Sequence, residues 1–225
     1  MIDFFGLNEN QARMDYPKLY QWLLDHVLSE RRNNRDKSFR ENWWLWGRAR
    51  PEIRDLKIGL SRYIATCRTA KFRNFEFIDL NVVPDAKIIF IGLESGDALA
   101  ILSSRLHTHW ADATGGWLGV GNDSNYNHSD CFGKFPFPEL DEKQKAHLCE
   151  LGERLDAFRK ERQAEHSDLT MTGMYNVLER LRELEANPDA EPLTEKERAI
   201  HEKGLVSVLK QIHDEIDAAT FDAYG

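Results

Sequence analysis

The chain has 225 residues, 41% hydrophobic and 30% charged, which is enough apolar content for a packed core and excludes a disordered chain. Its net charge of −8 argues against nucleic acid only on average. Residues 1–138 hold 18 basic and 17 acidic side chains, residues 139–225 hold 12 and 21, and Arg31 to Arg73 alone holds 13 basic and 4 acidic. A basic block followed by an acidic region points to unlike jobs along the chain.

The longest apolar run, Ile88–Gly92, is too short to cross a bilayer. Met1-Ile2-Asp3-Phe4-Phe5 lacks the basic start and the cleavage site of a secretory signal. Cys67, Cys131 and Cys149 are widely spaced and odd in number, which excludes a disulfide framework and a CxxC metal site. These features imply a cytoplasmic protein with no membrane partner.

Tyr16, Leu19, Tyr20, Leu23, Leu24 and Val27 recur at threes and fours, which predicts an amphipathic helix. Arg31 to Arg40 is polar and basic and either extends that helix or leaves it. Trp43, Trp44 and Trp46 form an aromatic knot, read mainly as core because tryptophans are usually largely buried. Arg62–Thr66, Asn74–Asp79 and Lys87–Gly92 predict strands, the second half-wet by its alternation and the third buried on both faces. Leu99, Leu102, Leu106 and Trp110 place one stripe on a helix over 97–111. Trp117 to Cys131, rich in Gly and Asn, reads as a functional loop. Phe135-Pro136-Phe137-Pro138 predicts an extended segment. Three amphipathic helices follow, marked by Leu148–Phe158, Met171–Leu181 and Leu205–Ala219, the third opened by a capping box at Thr194-Glu195-Lys196-Glu197.

Most catalytic signatures are missing. No Gly-rich fingerprint joins a strand to a helix, and neither HExxH nor GxSxG occurs. His107 and His109 diverge on a helix and make poor co-ligands for a metal. His128 and Cys131 read as a surface histidine beside a buried small residue, not a nucleophilic pair. Glu150-Arg154, Asp156-Lys160 and the other charges of the last helices read as a solvated face. What remains is the basic block. Arg31, Arg32, Arg35, Lys37, Arg40, Arg48, Arg50 and Arg54 surround the tryptophans, and Arg68, Lys71 and Arg73 follow a strand. Such side chains neutralise phosphates and read guanine edges, while Asn122, Asn125 and Asn127 carry amides suited to adenine edges.

Several segments carry a family resemblance. Asp15-Tyr16-Pro17, Arg40-Glu41-Asn42-Trp43-Trp44, Arg62-Tyr63-Ile64-Ala65-Thr66 with Lys71, Leu102-Ser103-Ser104-Arg105, Gly119-Val120-Gly121-Asn122-Asp123 and Cys131–Pro138 resemble the target recognition region of MmeI-like enzymes. Leu169–Glu179 and Asp217–Gly225 resemble the C-terminal helical region of the same family. These are type IIG/IIL restriction–modification enzymes, adenine-specific DNA methyltransferases often fused to a nuclease. The resemblance implies an α+β chain, with a mixed α/β target recognition domain over 1–138 and an all-helical region over 139–225. The family's Asn/Asp-Pro-Pro-Tyr/Phe motif and Gly-rich S-adenosylmethionine loop do not occur here. The expectation is therefore a specificity portion, an excised piece or a split gene product. It is not an enzyme by itself, and S-adenosylmethionine is expected only in a methyltransferase domain elsewhere.

On this reading the partners are double-stranded DNA and that methyltransferase domain. Arg31, Arg32, Arg35, Arg40 and Lys71 would contact phosphates, and Arg68, Arg73, Asn125, Tyr126 and Asn127 would read bases, with Asn122 in the same DNA-facing set. The acidic helical region would brace the domains without touching DNA. Two other readings stand beside it: a helical adaptor binding an acidic protein, and a small enzyme using His128 and Cys131.

Overall fold

A computed structural model describes residues 2–47, 59–118, 123–187 and 189–225. The chain divides into two compact units, Met1–Leu56 and Lys57–Gly225. Arg48, Arg50, Arg54 and Asn122, together with Gly119, Val120 and Gly121, lie outside the described residues.

The first unit is helical: α1 (Glu9–Asp15), α2 (Pro17–His26), α3 (Leu28–Arg32) and α4 (Lys37–Glu41). Asn8 and Gln11 close a capping box on α1, and Pro17 opens α2, where its missing N–H is harmless. The stripe on α2 buries Tyr20 and Leu23 against Phe4, Ala12 and Trp43. The basic run leaves the helix after Arg32, and Asp36 caps the short α4. Trp43 is buried and its indole N–H donates to Glu9 Oε1 at 3.1 Å, an oxygen that also accepts from the Tyr20 hydroxyl at 2.8 Å. Burial, then the Glu9 hydrogen bond, push the Tyr20 phenol up to about 12. Trp44 is half-buried against the same core, whereas Trp46 is half-exposed and its indole N–H donates to the Ile2 carbonyl.

The second unit mixes strands and helices. Strands β1 (Arg62–Cys67), β3 (Glu76–Asp79) and β4 (Ile88–Ile91) form an antiparallel sheet in the order β3-β1-β4. Strand β2 (Thr69–Ala70) pairs with β6 (Asp123–Asn125), which pairs with β5 (Gly116–Leu118), in a second antiparallel sheet. The region expected to be a loop over Trp117–Cys131 therefore holds parts of two strands and a single π-turn, His128–Phe132. Gly, Asn and Asp are poor strand formers, and cross-strand pairing overrides that preference here. Strand β4 is an edge strand with alternating burial, so its apolar run is not covered on both faces.

The single helix expected over 97–111 is two, α5 (Gly96–Ser103) and α6 (Arg105–Thr114). Ser104 breaks it: its backbone is extended, and its hydroxyl accepts from His107 N–H to cap α6. Helix α5 is buried on nearly every side. Ala98, Leu99 and Leu102 face the sheet core of Ile64, Phe75, Phe77 and Ile91, while Ala100 and Ile101 join the helical core. A helix apolar all round belongs between two layers. Helix α5 serves both cores, and residues 57–225 form one compact unit.

Four helices complete the unit: α7 (Glu142–Glu165), α8 (Met171–Ala186), α9 (Glu195–Gly204) and α10 (Val206–Tyr224). The expected Thr194–Glu197 capping box is present. The third helical stretch is split at Leu205, whose φ of 43° places a non-glycine residue in the left-handed region.

The charges on α7 are not all solvated. Strand β3 leaves one edge of its sheet free, and α7 covers it. Asp156 Oδ1 accepts from Phe77 N–H at 3.0 Å, Lys160 Nζ donates to Phe77 O at 2.7 Å, and Arg159 donates to Phe75 O. Asp156 and Arg159 are buried. Free strand edges must be covered or charged, and these side chains supply the partners that another strand would have offered. Arg159 also donates to the Tyr175 hydroxyl at 3.1 Å, which lies 2.7 Å from His213 Nε2 and so ties α8 and α10 to the sheet.

Two glycines let α5 and α7 touch through their backbones. A Cβ on Gly152 would collide with the Gly96 carbonyl oxygen, and one on Gly96 with the Cys149 carbonyl. Gly152→Ala should therefore destabilise the chain by about 1–3 kcal/mol, since a backbone cannot rotate away as a side chain can; urea denaturation measures it, and an unchanged midpoint would show that the helices can separate freely. Burial pushes His107 and His213 down to about 3, helped by the charges of Arg73 and Arg159 respectively. An unfolded histidine takes a proton below about 6.5, so the unfolded state binds more protons between that value and about 3. The associated stability is full above the upper value and falls with pH by up to ~1.4 kcal/mol per unit per histidine. The urea midpoint of His213→Gln should therefore fall less steeply than that of the unaltered chain between pH 7 and 5.

Candidate nucleic-acid interface

The second sheet and its junction with the first form the candidate interface. The β1–β4 register ends at Cys67↔Ile88, and one step further Arg68 N–H donates to Lys87 O at 2.6 Å. On its other side Arg68 O accepts from Tyr126 N–H at 2.7 Å. Arg68 is thus the residue at which the chain leaves one sheet and enters the other. It stands opposite Lys87, and both side chains are exposed with no ion pair among the described residues. Like charges set opposite each other repel unless an anion lies between them. Lys71, also exposed, donates to Asn176 Oδ1 at 2.6 Å and lies 4.9 Å from the Phe72 ring centre. That leaves it hydrogen-bonded to a neutral group, with no ion pair among the described residues.

Arg73 is placed differently. It is 8% exposed, and its guanidinium donates to Thr66 Oγ1, to Cys67 O, and to Ser124 O and Oγ at 2.9 and 3.0 Å. It also lies over the Tyr126 ring. Burial lowers its proton affinity, with Asp112 the leading opposing influence. Tyr126 is 1% exposed, and its hydroxyl lies 3.0 Å from His107 Nε2. Burial raises its phenol well above the ordinary value. Both side chains, expected from the sequence to read bases, are buried here, and Arg73 ties the two sheets together. The signal for them was residue type alone, which cannot separate a buried staple from an exposed fork.

Asn125 and Asn127 are half-buried. Asn125 pairs in register with Thr69 and Gly116, at the open end of the β5–β6 ribbon. Asn127 caps the π-turn, its Oδ1 accepting from Asp130 N–H at 2.7 Å. Thus the structure brings Arg68, Lys71, Asn125 and Asn127 onto one sheet and its flank, with Arg73 and Tyr126 beneath. It adds Lys87 and the exposed Trp117, which sequence reasoning did not select. The continuous apolar run of Lys87–Gly92 marked that segment as core and drew attention away from its first residue.

Arg31, Arg32, Arg35 and Arg40 belong to the first unit. Arg32 and Arg35 are exposed, Arg31 is half-buried over the Phe39 ring, and Arg40 donates to the Asn34 and Arg35 carbonyls.

The other candidates carry less. Cys131 is buried, its thiol 3.6 Å from Ala111 O, while the exposed His128 packs on Phe132. No group of three or more His, Cys, Asp or Glu side chains is placed to hold a metal among the described residues. An open groove of about 740 Å³ between α8 and α10 is lined by Leu181, Leu184, Glu185, Lys210 and Asp214, but Lys210 is paired to both acids at 2.9 and 2.7 Å. No helix among the described residues is long and apolar enough to cross a membrane.

No family model and no curated protein matches the sequence. A solved structure does match it: the Type IIL restriction-modification enzyme MmeI in complex with DNA, with a TM-score of 0.63 and 18% identity over 99% of this chain. The chain has the fold of part of MmeI. It spans 25% of the length of that structure. At this identity the likeness is one of fold.

Arg73→Met should lower stability by about 2–4 kcal/mol, because several buried acceptors lose a charged donor. Arg68→Ala should leave stability within ~0.5 kcal/mol, as expected for an exposed side chain. Thermal unfolding of the two variants separates the supporting residue from the presented one; equal losses would overturn the assignment.

Proposed function

We propose that this chain binds double-stranded DNA sequence-specifically and serves as the target-recognition portion of an S-adenosylmethionine-dependent N6-adenine DNA methyltransferase of a restriction–modification system. The observation that carries the reading is that Arg68, Lys71 and Lys87, near the junction of the two sheets, are exposed and form no ion pair among the described residues. Phosphates supply the charge that this set lacks, and amides such as those of Asn125 and Asn127 can pair with base edges. The fold likeness to MmeI, solved with DNA, supports the same reading.

Each residue has a defined task in this mechanism. Arg68, Lys87 and Lys71 neutralise phosphates and fix the register of the duplex. Asn125 and Asn127 face base edges, and Arg73 and Tyr126 hold the strands that carry them. Arg32 and Arg35 of the first unit add phosphate contacts. The adenine to be methylated leaves the stack for an active site outside this chain. S-adenosylmethionine binds there as well: the chain has no Gly-rich loop or Asn/Asp-Pro-Pro-Tyr/Phe motif to receive it, and no chemical step is assigned to these residues. One observation favours a protein partner in addition. Tyr16, which precedes α2, and Leu19 and Trp22 on it are each more than 40% exposed, an apolar surface suited to a companion domain.

Fluorescence anisotropy on a mixed pool of duplexes at two salt concentrations tests the proposal. Binding should weaken with salt. Lys71→Ala should weaken it across sequences and reduce the salt slope by about one unit. The triple variant R68E/K71E/K87E should abolish binding. No binding by the unaltered chain at low salt, or equal binding by the triple variant, would move the adaptor reading ahead.

A further inference from the structure

Lys71 follows β2 directly, and its side chain is held by a residue 105 positions away in sequence. Its Nζ donates to Oδ1 of Asn176, on α8, at 2.6 Å. It also lies 4.9 Å from the centre of the Phe72 ring. Phe72 is partly buried against the helical core, and its ring centre is 6.0 Å from that of Tyr175. Tyr175 is buried, and its hydroxyl is engaged by Arg159 and His213. Two consecutive residues of α8, Tyr175 and Asn176, therefore meet two consecutive residues after β2, Phe72 and Lys71. The aromatic pair is fixed by the core, and the polar pair reaches the surface, with Asn176 half-buried and Lys71 exposed.

The residue type at 176 is informative. Asparagine is a poor helix former, because its side chain competes for backbone hydrogen bonds. Asn176 nevertheless lies inside α8, past its first turn. Residues 139–225 hold 21 acidic side chains, and a carboxylate at 176 would also accept from Lys71. It would cancel the lysine's charge. An amide oxygen accepts the same hydrogen bond and leaves the charge whole. Glu179, almost one turn further along α8, is bonded instead by Arg182 at 2.9 Å. A free lysine loses much rotamer freedom on being fixed, so one already held gives up less when a phosphate arrives.

We infer that Asn176 is a positioning residue for DNA binding: it holds the Lys71 ammonium in place without neutralising it, so that the helical region sets the direction of one phosphate contact. The inference rests on the DNA-recognition reading and deepens it by giving the acidic helical region a part in binding through a neutral residue. Asn176 acts through Lys71, and its contribution disappears when the lysine is absent.

The test uses the whole chain, duplexes enriched from the mixed pool, and the variants N176A, N176D, K71A and K71A/N176A. Aspartate has the shape of asparagine and alanine is the better helix former, so both substitutions keep the fold, which circular dichroism checks. N176A should weaken binding about 2- to 10-fold, the cost of immobilising one lysine side chain on the duplex. Its salt slope should stay unchanged, because the charge remains. N176D should weaken binding and lower the salt slope by about one unit, as K71A does. K71A/N176A should bind as K71A does. If N176A and N176D bind as the unaltered chain does while K71A has lost affinity, DNA recognition stands and the positioning role is overturned. If the loss in N176A recurs in full in the K71A background, Asn176 acts independently of Lys71 and the inference is again overturned. Absence of any DNA binding by the unaltered chain removes both readings together.

Discussion

The covering of the free edge of β3 by α7 is the interaction on which the second unit depends. Phe75 O and both backbone groups of Phe77 would otherwise be left without partners, or would invite a foreign strand. Asp156, Arg159 and Lys160 meet them from a helix, which cannot pair by its own backbone. Burying these charges is expensive unless every one is hydrogen-bonded. Asp156 is bonded to Lys160 as well as to Phe77, and Arg159 to the Tyr175 hydroxyl as well as to Phe75. Through Tyr175 and His213 the same network reaches α8 and α10.

That arrangement decides where the candidate interface sits. With β3 clamped, β1 is held between β3 and β4, and its continuation past Cys67 is aimed into the second sheet. Arg68 falls at the turning point. Asp217 adds a second tie, its carboxylate accepting from the first backbone N–H of α6 and from the Arg105 side chain. Helix α6 in turn carries His107, against which Tyr126 packs. The helical region is therefore joined to the second sheet through a contiguous chain of contacts.

The charge asymmetry along the chain acquires a physical meaning from these pairings. In the helical region acids and bases largely neutralise one another: Arg154 with Glu215, Arg182 with Glu179 and Asp214, Lys210 with Glu185. The remaining negative charge is spread over solvated surface. Arg68, Lys71 and Lys87 are not neutralised in this way among the described residues. Net charge thus says little about binding; what matters is which charges are left unpaired and whether they are neighbours.

Much of this was legible in the residues themselves. The threes-and-fours stripe of α2, the strands at Arg62 and Glu76, the capping box at Thr194 and the apolar repeats of α7, α8 and α10 follow from periodicity, because helix and strand geometry repeat at fixed intervals. Other features depend on partners distant in sequence. Asp123–Asn125 pairs with β2, more than 50 residues earlier, as well as with Gly116–Leu118. Asp156 and Lys160 look like a solvated pair until a strand edge 79 residues away needs them. Arg73 and Arg68 are the same residue type five positions apart, yet one is a buried staple and the other a presented cation. The sequence by itself determined the α+β class, the helix faces and the basic block. Only the tertiary structure decided which cations reach solvent together, since burial is a property of the packed chain and not of the residue.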